Sequence, residues 1–234
     1  MKIQRSGILT AAVFMLLPVA SAQSFVNLNF EQATIAPTPP GGWMYPADPA
    51  QCFPGWTVGG SGTVVSYNDL SLGAPAVNLM GPQFPNLPNY LPLEGYYSVL
   101  FQYFEIAGPP PSVSQTGLIP AGTQSINFLV GPGQSDAAVS VNGIPIPLVW
   151  MADGRLAGNV SAFADTEALL TISTSTGNGF RGDWLYIDDI QFSSEPVPEP
   201  AICSTISVSA LLFIGIRRGL VGATSQFARR CARC

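Results

Sequence analysis

Apolar residues in the middle of the chain form short runs rich in β-branched and aromatic side chains, separated by clusters of Gly, Pro and Asn. This pattern is typical of the strands of a sandwich or barrel, and no helical apolar spacing is held across three turns. The best helical candidate is the short stretch 162–169. The sequence therefore predicts an all-β domain with strands at 24–30, 63–67, 76–79, 96–105, 112–116, 124–130, 137–141, 144–150, 168–173 and 184–192.

Turn residues support this reading. Asn142-Gly143 lies between two apolar runs and supplies two residues that tolerate positive φ, which predicts a type I′ hairpin. Prolines are dense in residues 81–93, where they remove the donors that a central strand needs. That stretch is expected to form a surface loop.

Both ends of the chain carry patterns of their own. Lys2 and Arg5, an apolar stretch at 8–19, and small residues at 20–22 form the three parts of a secretory signal peptide. Near the other end, an apolar run at 202–216 is followed by a pair of arginines. We expect five segments: a signal helix at 1–22, an exported β-sandwich at 23–194, a linker at 195–201, a short transmembrane helix at 202–216 and a basic cytoplasmic tail at 217–234.

The apolar run at 202–216 is short for a permanent anchor, because a full span needs about 20 apolar residues. It follows Val197-Pro198-Glu199-Pro200 and ends at the membrane-stop pair Arg217-Arg218. With the signal peptide, this order resembles the PEP-CTERM sorting proteins of bacteria that make extracellular polysaccharide. The resemblance implies that an exosortase recognises Pro198, Glu199 and Pro200 and cuts nearby, so that the protein reaches the cell surface. The tail departs from the family pattern by continuing sixteen residues past Arg218.

Charge is distributed unevenly along the chain. Residues 23–194 contain twelve carboxylates and only Arg155 and Arg181 as cations, a formal charge of −10 against −5 for the whole chain. Such a surface repels phosphate backbones, which argues against a nucleic-acid partner. It suits cations, neutral sugars or simple solubility.

Few residues suit catalysis. The chain has no His, which removes Ser-His-Asp and Cys-His machinery and imidazole metal sites. Cys52 is the one Cys in residues 23–194, and we expect it to be a small buried residue without a disulfide partner. We predict no catalytic residue and no enzymatic activity. A glycoside hydrolase built on paired carboxylates stays open as the least favoured alternative.

The two ends of the predicted sandwich carry a second resemblance. Asn27-Leu28-Asn29-Phe30-Glu31 opens it, Pro54-Gly55-Trp56 follows, and Trp184-Leu185-Tyr186-Ile187-Asp188-Asp189-Ile190 closes it. This arrangement is similar to galactose-binding-like jelly rolls, the fold of many carbohydrate-binding modules. The resemblance implies an antiparallel jelly roll and a structural Ca²⁺ between the first and last strands.

Alternation along the last strand places Leu185, Ile187 and Asp189 on one face. An acid beside two apolar residues needs a partner or a bound cation. For the Ca²⁺ that the resemblance implies, Glu31 and Asp189 are the candidate ligands. The alternative is that Asp188 and Asp189 accept backbone hydrogen bonds at a strand end. No other cofactor is expected.

Aromatic residues in the loops are the candidates for sugar contact: Trp43, Tyr45 and Tyr90 first, with Phe84 and Phe180. Trp56 and Trp184 lie in strand-like contexts and are expected in the core. We therefore expect an exported surface or matrix protein associated with extracellular polysaccharide. A specific carbohydrate-binding module is the main alternative.

Overall fold

The computed structural model describes residues 23–35, 47–69, 74–82, 92–103, 108–132, 136–174 and 183–197. The predicted signal segment, the residues Pro198, Glu199 and Pro200, the apolar run at 202–216 and the Arg217-Arg218 pair lie outside these ranges. Within them, no helix has both the length and the hydropathy needed to cross a membrane.

The described residues form twelve strands, one α-helical turn and one 3-10 turn. The strands are β1 (Thr57–Gly59), β2 (Val64–Tyr67), β3 (Ala76–Met80), β4 (Ser98–Tyr103), β5 (Ser112–Leu118), β6 (Ser125–Val130), β7 (Ala137–Val141), β8 (Ile144–Ile146), β9 (Leu148–Trp150), β10 (Arg155–Asn159), β11 (Glu167–Thr174) and β12 (Asp183–Ser193). The helical turn α1 is Pro49–Cys52, and the 3-10 turn is Ser161–Phe163. The all-β prediction is confirmed.

The strands form two sheets. Sheet A has five strands in the order β1-β5-β11-β7-β8, and sheet B has seven in the order β2-β3-β4-β12-β6-β10-β9. Neighbouring strands are antiparallel except β2 and β3, which run parallel. Apolar side chains from both sheets form one buried cluster, including Val113 and Ile172 from sheet A and Phe101 and Leu185 from sheet B. The domain is therefore a β-sandwich with its main core between the sheets.

Local pattern explains several elements. Strand β11 alternates buried and exposed residues, as expected for a strand with one face on the core. The β7–β8 hairpin turns at Asn142 and Gly143, whose φ values of 51° and 76° are both positive, as the Asn-Gly pair predicts. Cys52 is buried, and burial together with the Asp48 carboxylate raises the pKa of its thiol to about 12.

The predicted strand at 24–30 is wrong. Only Ser24 makes an isolated bridge, to Leu118, and the chain turns at Asn27 and Phe30, where φ is 53° and 58°. Asn27 holds this turn, because its carbonyl accepts from Trp56 Nε1 at 2.9 Å and its side-chain amide donates to Pro54 at 3.1 Å. Long-range hydrogen bonds thus override the β-rich local sequence.

Two further predictions need correction, and two strands were not predicted. The run 144–150 is two strands, since Pro147 interrupts it and β8 and β9 join different sheets. Strands β1 and β10 were not predicted, because glycine and charged residues hide their pattern. The helical candidate at 162–169 is wrong: a single 3-10 turn ends at Phe163, and Glu167 already begins β11.

Strand β12 contains a bulge, where its register against β6 shifts between Asp188 and Gln191. The backbone at Asp189 adopts φ of 45°, and the inward set becomes Leu185, Ile187 and Ile190. Simple alternation placed Asp189 on the core side. The structure buries Asp188 instead, at 1% exposure, and leaves Asp189 partly exposed.

Candidate functional site

The outer face of sheet B is buried along β3 and β4, although the main core lies on the other side. Every residue of β3 and β4 is buried, whereas a sheet in a two-layer sandwich normally has one solvated face. Met80, Leu100 and Tyr186 form a second apolar cluster there, and Leu93 packs against it.

Two amides lie within this buried face. Asn78 Nδ2 donates to Gln102 Oε1 at 3.0 Å, and both side chains are 0% exposed. Among the described residues, Asn78 Oδ1 and Gln102 Nε2 have no hydrogen-bond partner. The same holds for Oγ of Ser66, which lies opposite Asn78 in the β2–β3 ladder. We call Asn78 and Gln102 the amide dyad. It presents one unused acceptor and one unused donor.

One unmatched donor and one unmatched acceptor remain whichever way the two amides are assigned. Rotating both amides together reverses the hydrogen bond between them and again leaves one donor and one acceptor unmatched. A buried polar group without a partner costs about 1–3 kcal/mol. The dyad is therefore a costly feature that packing alone does not explain.

Aromatic side chains flank the dyad. Trp184 lies directly across from Gln102 in the β4–β12 ladder, and Tyr186 lies across from Leu100. Burial is the main cause that raises the pKa of Tyr186 to about 12. The hydrogen bond with Ser98 lowers this pKa, and the charge of Asp188 raises it. Tyr186 is therefore a neutral phenol over the whole physiological range.

The other end of this face holds the buried carboxyl of Asp188. Its Oδ2 accepts from Ser98 Oγ at 2.6 Å and from the Glu94 backbone at 3.0 Å, and its Oδ1 accepts from the Asp189 backbone at 2.7 Å. Burial raises the pKa of Asp188 to about 6, against these hydrogen bonds, and the nearby charge of Glu31 raises it further. The carboxyl titrates close to neutral pH.

Glu31 holds the same segment from the other side. Its Oε1 accepts from the backbone of Tyr96 at 2.7 Å and of Tyr97 at 3.0 Å. Gly95 lies between Glu94, whose backbone Asp188 binds, and Tyr96, whose backbone Glu31 binds. Its φ is 61°, and a Cβ there would collide with the Glu31 carboxylate. Glu31 and Asp188 together fasten residues 93–98 to the sandwich.

Asp189, the predicted partner of Glu31, has a different partner. Its carboxylate lies 2.9 Å from the Arg155 guanidinium, and Arg155 also donates to Asn127 at 2.6 Å. No group of three or more His, Cys, Asp or Glu residues in the described ranges is arranged to hold a metal. A cation beside Asp189 would meet the Arg155 charge, so these residues fit a Ca²⁺ ion poorly. The Ca²⁺ site on Glu31 and Asp189 stays a prediction, and a Ca²⁺-dependent rise in melting temperature that Asp189→Ala abolishes would support it.

The predicted sugar-contact residues Trp43, Tyr45 and Tyr90 lie outside the described residues, as do Phe84 and Phe180. Trp56 is in the core at 7% exposure, as predicted. Trp184 is only half-buried and lies on the outer face of sheet B. The dyad was not predicted, and its one sequence signal is an amide within each of two otherwise largely apolar strands.

Comparisons with known proteins identify little. No family model matches the chain, and no curated protein matches it. One similar solved structure is the carbohydrate-binding module TmCBM61 in complex with β-1,4-galactotriose; it is 19% identical, with a TM-score of 0.35, covering 61% of this chain and 90% of that one. At this TM-score the match carries no information on the ligand of the present chain.

Proposed function

We propose that the protein is an exported, non-enzymatic surface protein that binds neutral polysaccharide through the outer face of sheet B. The observation that carries this proposal is the amide dyad, a buried donor and acceptor left unmatched beside Trp184 and Tyr186. Natural proteins keep such groups at functional sites more readily than elsewhere.

A sugar hydroxyl complements the dyad. It can donate to Asn78 Oδ1 and accept from Gln102 Nε2 at once, which satisfies both groups. Trp184 supplies a flat apolar surface beside them, and few convergent polar groups within an apolar site are typical of ligand sites. The dyad's neighbours Ser66, Ala76 and Leu100 are uncharged, which favours a neutral sugar.

Access to the dyad requires movement, because both amides are fully buried. Leu93 packs on the same apolar cluster, and its backbone N–H donates to Ser98 Oγ at 2.8 Å. We propose that Leu93 and the segment that Glu31 and Asp188 fasten move when a ligand binds. The position of these two acids supports a non-enzymatic role, since their contacts are to protein donors rather than to an open cleft.

The double variant Asn78→Leu/Gln102→Met tests the proposal. Replacing both partners of a buried hydrogen bond by apolar groups of similar shape is close to neutral for stability. We expect an unchanged or higher melting temperature, together with loss of binding to the polysaccharide that the wild type retains from a panel of cellulose, xylan, galactan and mannan. Gln124→Met, which removes an exposed amide elsewhere, is the control. A stable double variant that binds like the wild type would refute the site.

The finer fold and the cellular address are part of the same proposal. The opening Asn27 to Glu31 segment and the closing Trp184 to Ile190 segment support a galactose-binding-like jelly roll. The signal pattern at 1–22, the Pro198-Glu199-Pro200 motif, the run at 202–216 and Arg217-Arg218 support PEP-CTERM sorting by an exosortase.

Mass spectrometry of the native product tests the address. We expect a chain that begins near residue 23 and ends close to Pro200, recovered from the cell surface or the medium. An untrimmed chain in the cytosol would contradict both export and processing. Turnover of any glycan by the purified protein would contradict the non-enzymatic role.

A further inference from the structure

A cleft opens at the side of the sandwich where the chain passes from sheet A to sheet B. Strand β8 ends at Ile146 as the edge of sheet A, and after Pro147 strand β9 begins at Leu148 as the edge of sheet B. The cleft has a volume of about 360 Å³. This lies within the range of about 300–1,000 Å³ that is usual for small-molecule sites. We call it the edge cleft.

Six of the seven residues that line the cleft have apolar side chains, and the seventh is an acid. Ile146 and Leu156 are each 7% exposed and line the cleft together with Leu148. Trp150 also lines it and is 64% exposed, the largest such fraction for a described Trp. Asp136, just before β7, adds an exposed carboxylate.

Within the described residues, the acid in the cleft has no counter-charge. In the part of the chain that the structure describes, Asp136 has neither a hydrogen bond nor an ion pair. Arg155, the cation among these residues, is already held by Asp189 and Asn127. The cleft therefore combines an available carboxylate with an exposed indole and an apolar floor.

These features select for a cation with a flat apolar body. The face of a Trp ring attracts a nearby ammonium group, and Asp136 adds an opposite charge. An anionic ligand would be repelled by Asp136 and by the acidic body.

We propose that the edge cleft is a second ligand site, which binds a cationic amino-sugar unit with its ring against Trp150 and its ammonium group against Asp136. The site is separate from the amide dyad and takes a ligand of different charge. The proposal therefore does not rest on the function assigned to the outer face of sheet B.

Calorimetric titration of the full chain, purified in mild detergent, tests the proposal. The probes are a glucosamine oligosaccharide and the N-acetylglucosamine oligosaccharide of the same length. We expect the charged probe to bind, and the acetylated probe to bind about tenfold more weakly or not at all. Added salt should weaken binding of the charged probe.

Variants of exposed residues locate the site without disturbing the fold. Trp150→Ala and Asp136→Asn should each weaken binding of the glucosamine probe about tenfold. Tyr96→Ala and Glu167→Gln, which remove an exposed aromatic ring and an exposed acid elsewhere, should leave it unchanged. Asn78→Leu/Gln102→Met should also leave it unchanged, which separates this proposal from the function of the dyad.

Each of the following results would overturn the proposal. These are wild-type affinity in both cleft variants, equal weakening by Glu167→Gln, equal binding of the acetylated probe, and an oligolysine that binds as tightly with the same dependence on Trp150. The last result would assign the cleft to a basic protein partner instead. Failure of the glucosamine probe to bind would also reject the amino-sugar site.

Discussion

Asp188 accepts a 2.6 Å hydrogen bond from the hydroxyl of Ser98, a residue ninety positions earlier in the chain. Ser98 in turn accepts from the backbone of Leu93 at 2.8 Å. The last strand of the sandwich thus holds residues 93–98, which pack on the outer face of sheet B, in place. Four predictions follow from this network and from its neighbours.

The first prediction concerns pH. The pKa of Asp188 is raised to about 6 in the folded protein, above its usual value of 3.8. The folded state therefore binds a proton that the unfolded state releases, and this stabilisation is complete below about pH 4 and lost as the pH rises through about 6. We expect urea denaturation to show a contribution of about 3 kcal/mol that is lost between these two pH values. Asp188→Asn should lack this slope, and an equal slope in the variant would contradict the assignment.

The second prediction compares two buried serines on the same sheet. Ser98→Ala removes the partner of both Asp188 and the Leu93 backbone, so we expect it to lower the free energy of unfolding by about 1–3 kcal/mol. Ser66→Ala removes a buried hydroxyl that has no partner and should be neutral or stabilising. Chemical denaturation measures both. Equal losses of unfolding free energy would show that the hydrogen bonds of Ser98 do not stabilise the fold.

The third prediction compares two glycines of nearly equal backbone conformation. Gly95 has φ of 61° and Gly62 has φ of 63°, but a Cβ at Gly62 would meet no atom within 4 Å. Gly62→Ala should cost about 1–2 kcal/mol from backbone strain alone. Gly95→Ala adds a collision with the Glu31 carboxylate and should cost more. If the two variants have the same melting temperature, Glu31 does not fasten residues 93–98 as described.

The fourth prediction concerns the bulge at Asp189. Its backbone is left-handed at φ of 45°, a conformation that Asn tolerates and Ala does not. We expect Asp189→Asn to lose only the partly buried ion pair with Arg155, whereas Asp189→Ala should lose about 1 kcal/mol more through strain. Thermal melts of the two variants give the comparison. Equal stability would show that the bulge is not strained.

Local sequence predicted much of this protein. Runs such as Ala137–Val141 became strands where expected, because their β-branched residues alternate with polar ones and Asn142-Gly143 supplies the turn. The core position of Trp56 was also predictable. The expected export, sorting and lack of enzymatic activity stay predictions, since they depend on segments and assays beyond the described strands.

Tertiary contacts decided the rest. Pattern alone could not tell that Pro147 divides one apolar run between two sheets, and so it could not predict the edge cleft. It also assigned the inward position to Asp189, because a period of two has no place for the bulge that turns Asp189 away from the core and places Ile190 there.

The sequence by itself therefore determined the class of fold and the position of most strands, since these depend on residues close together in the chain. Only the tertiary structure brought Asn78 against Gln102, Ser98 against Asp188, and Trp150 beside Asp136 in one cleft. Strand order and register determine which of these residues lie close together. Both arise from the combined burial of many side chains rather than from any local run.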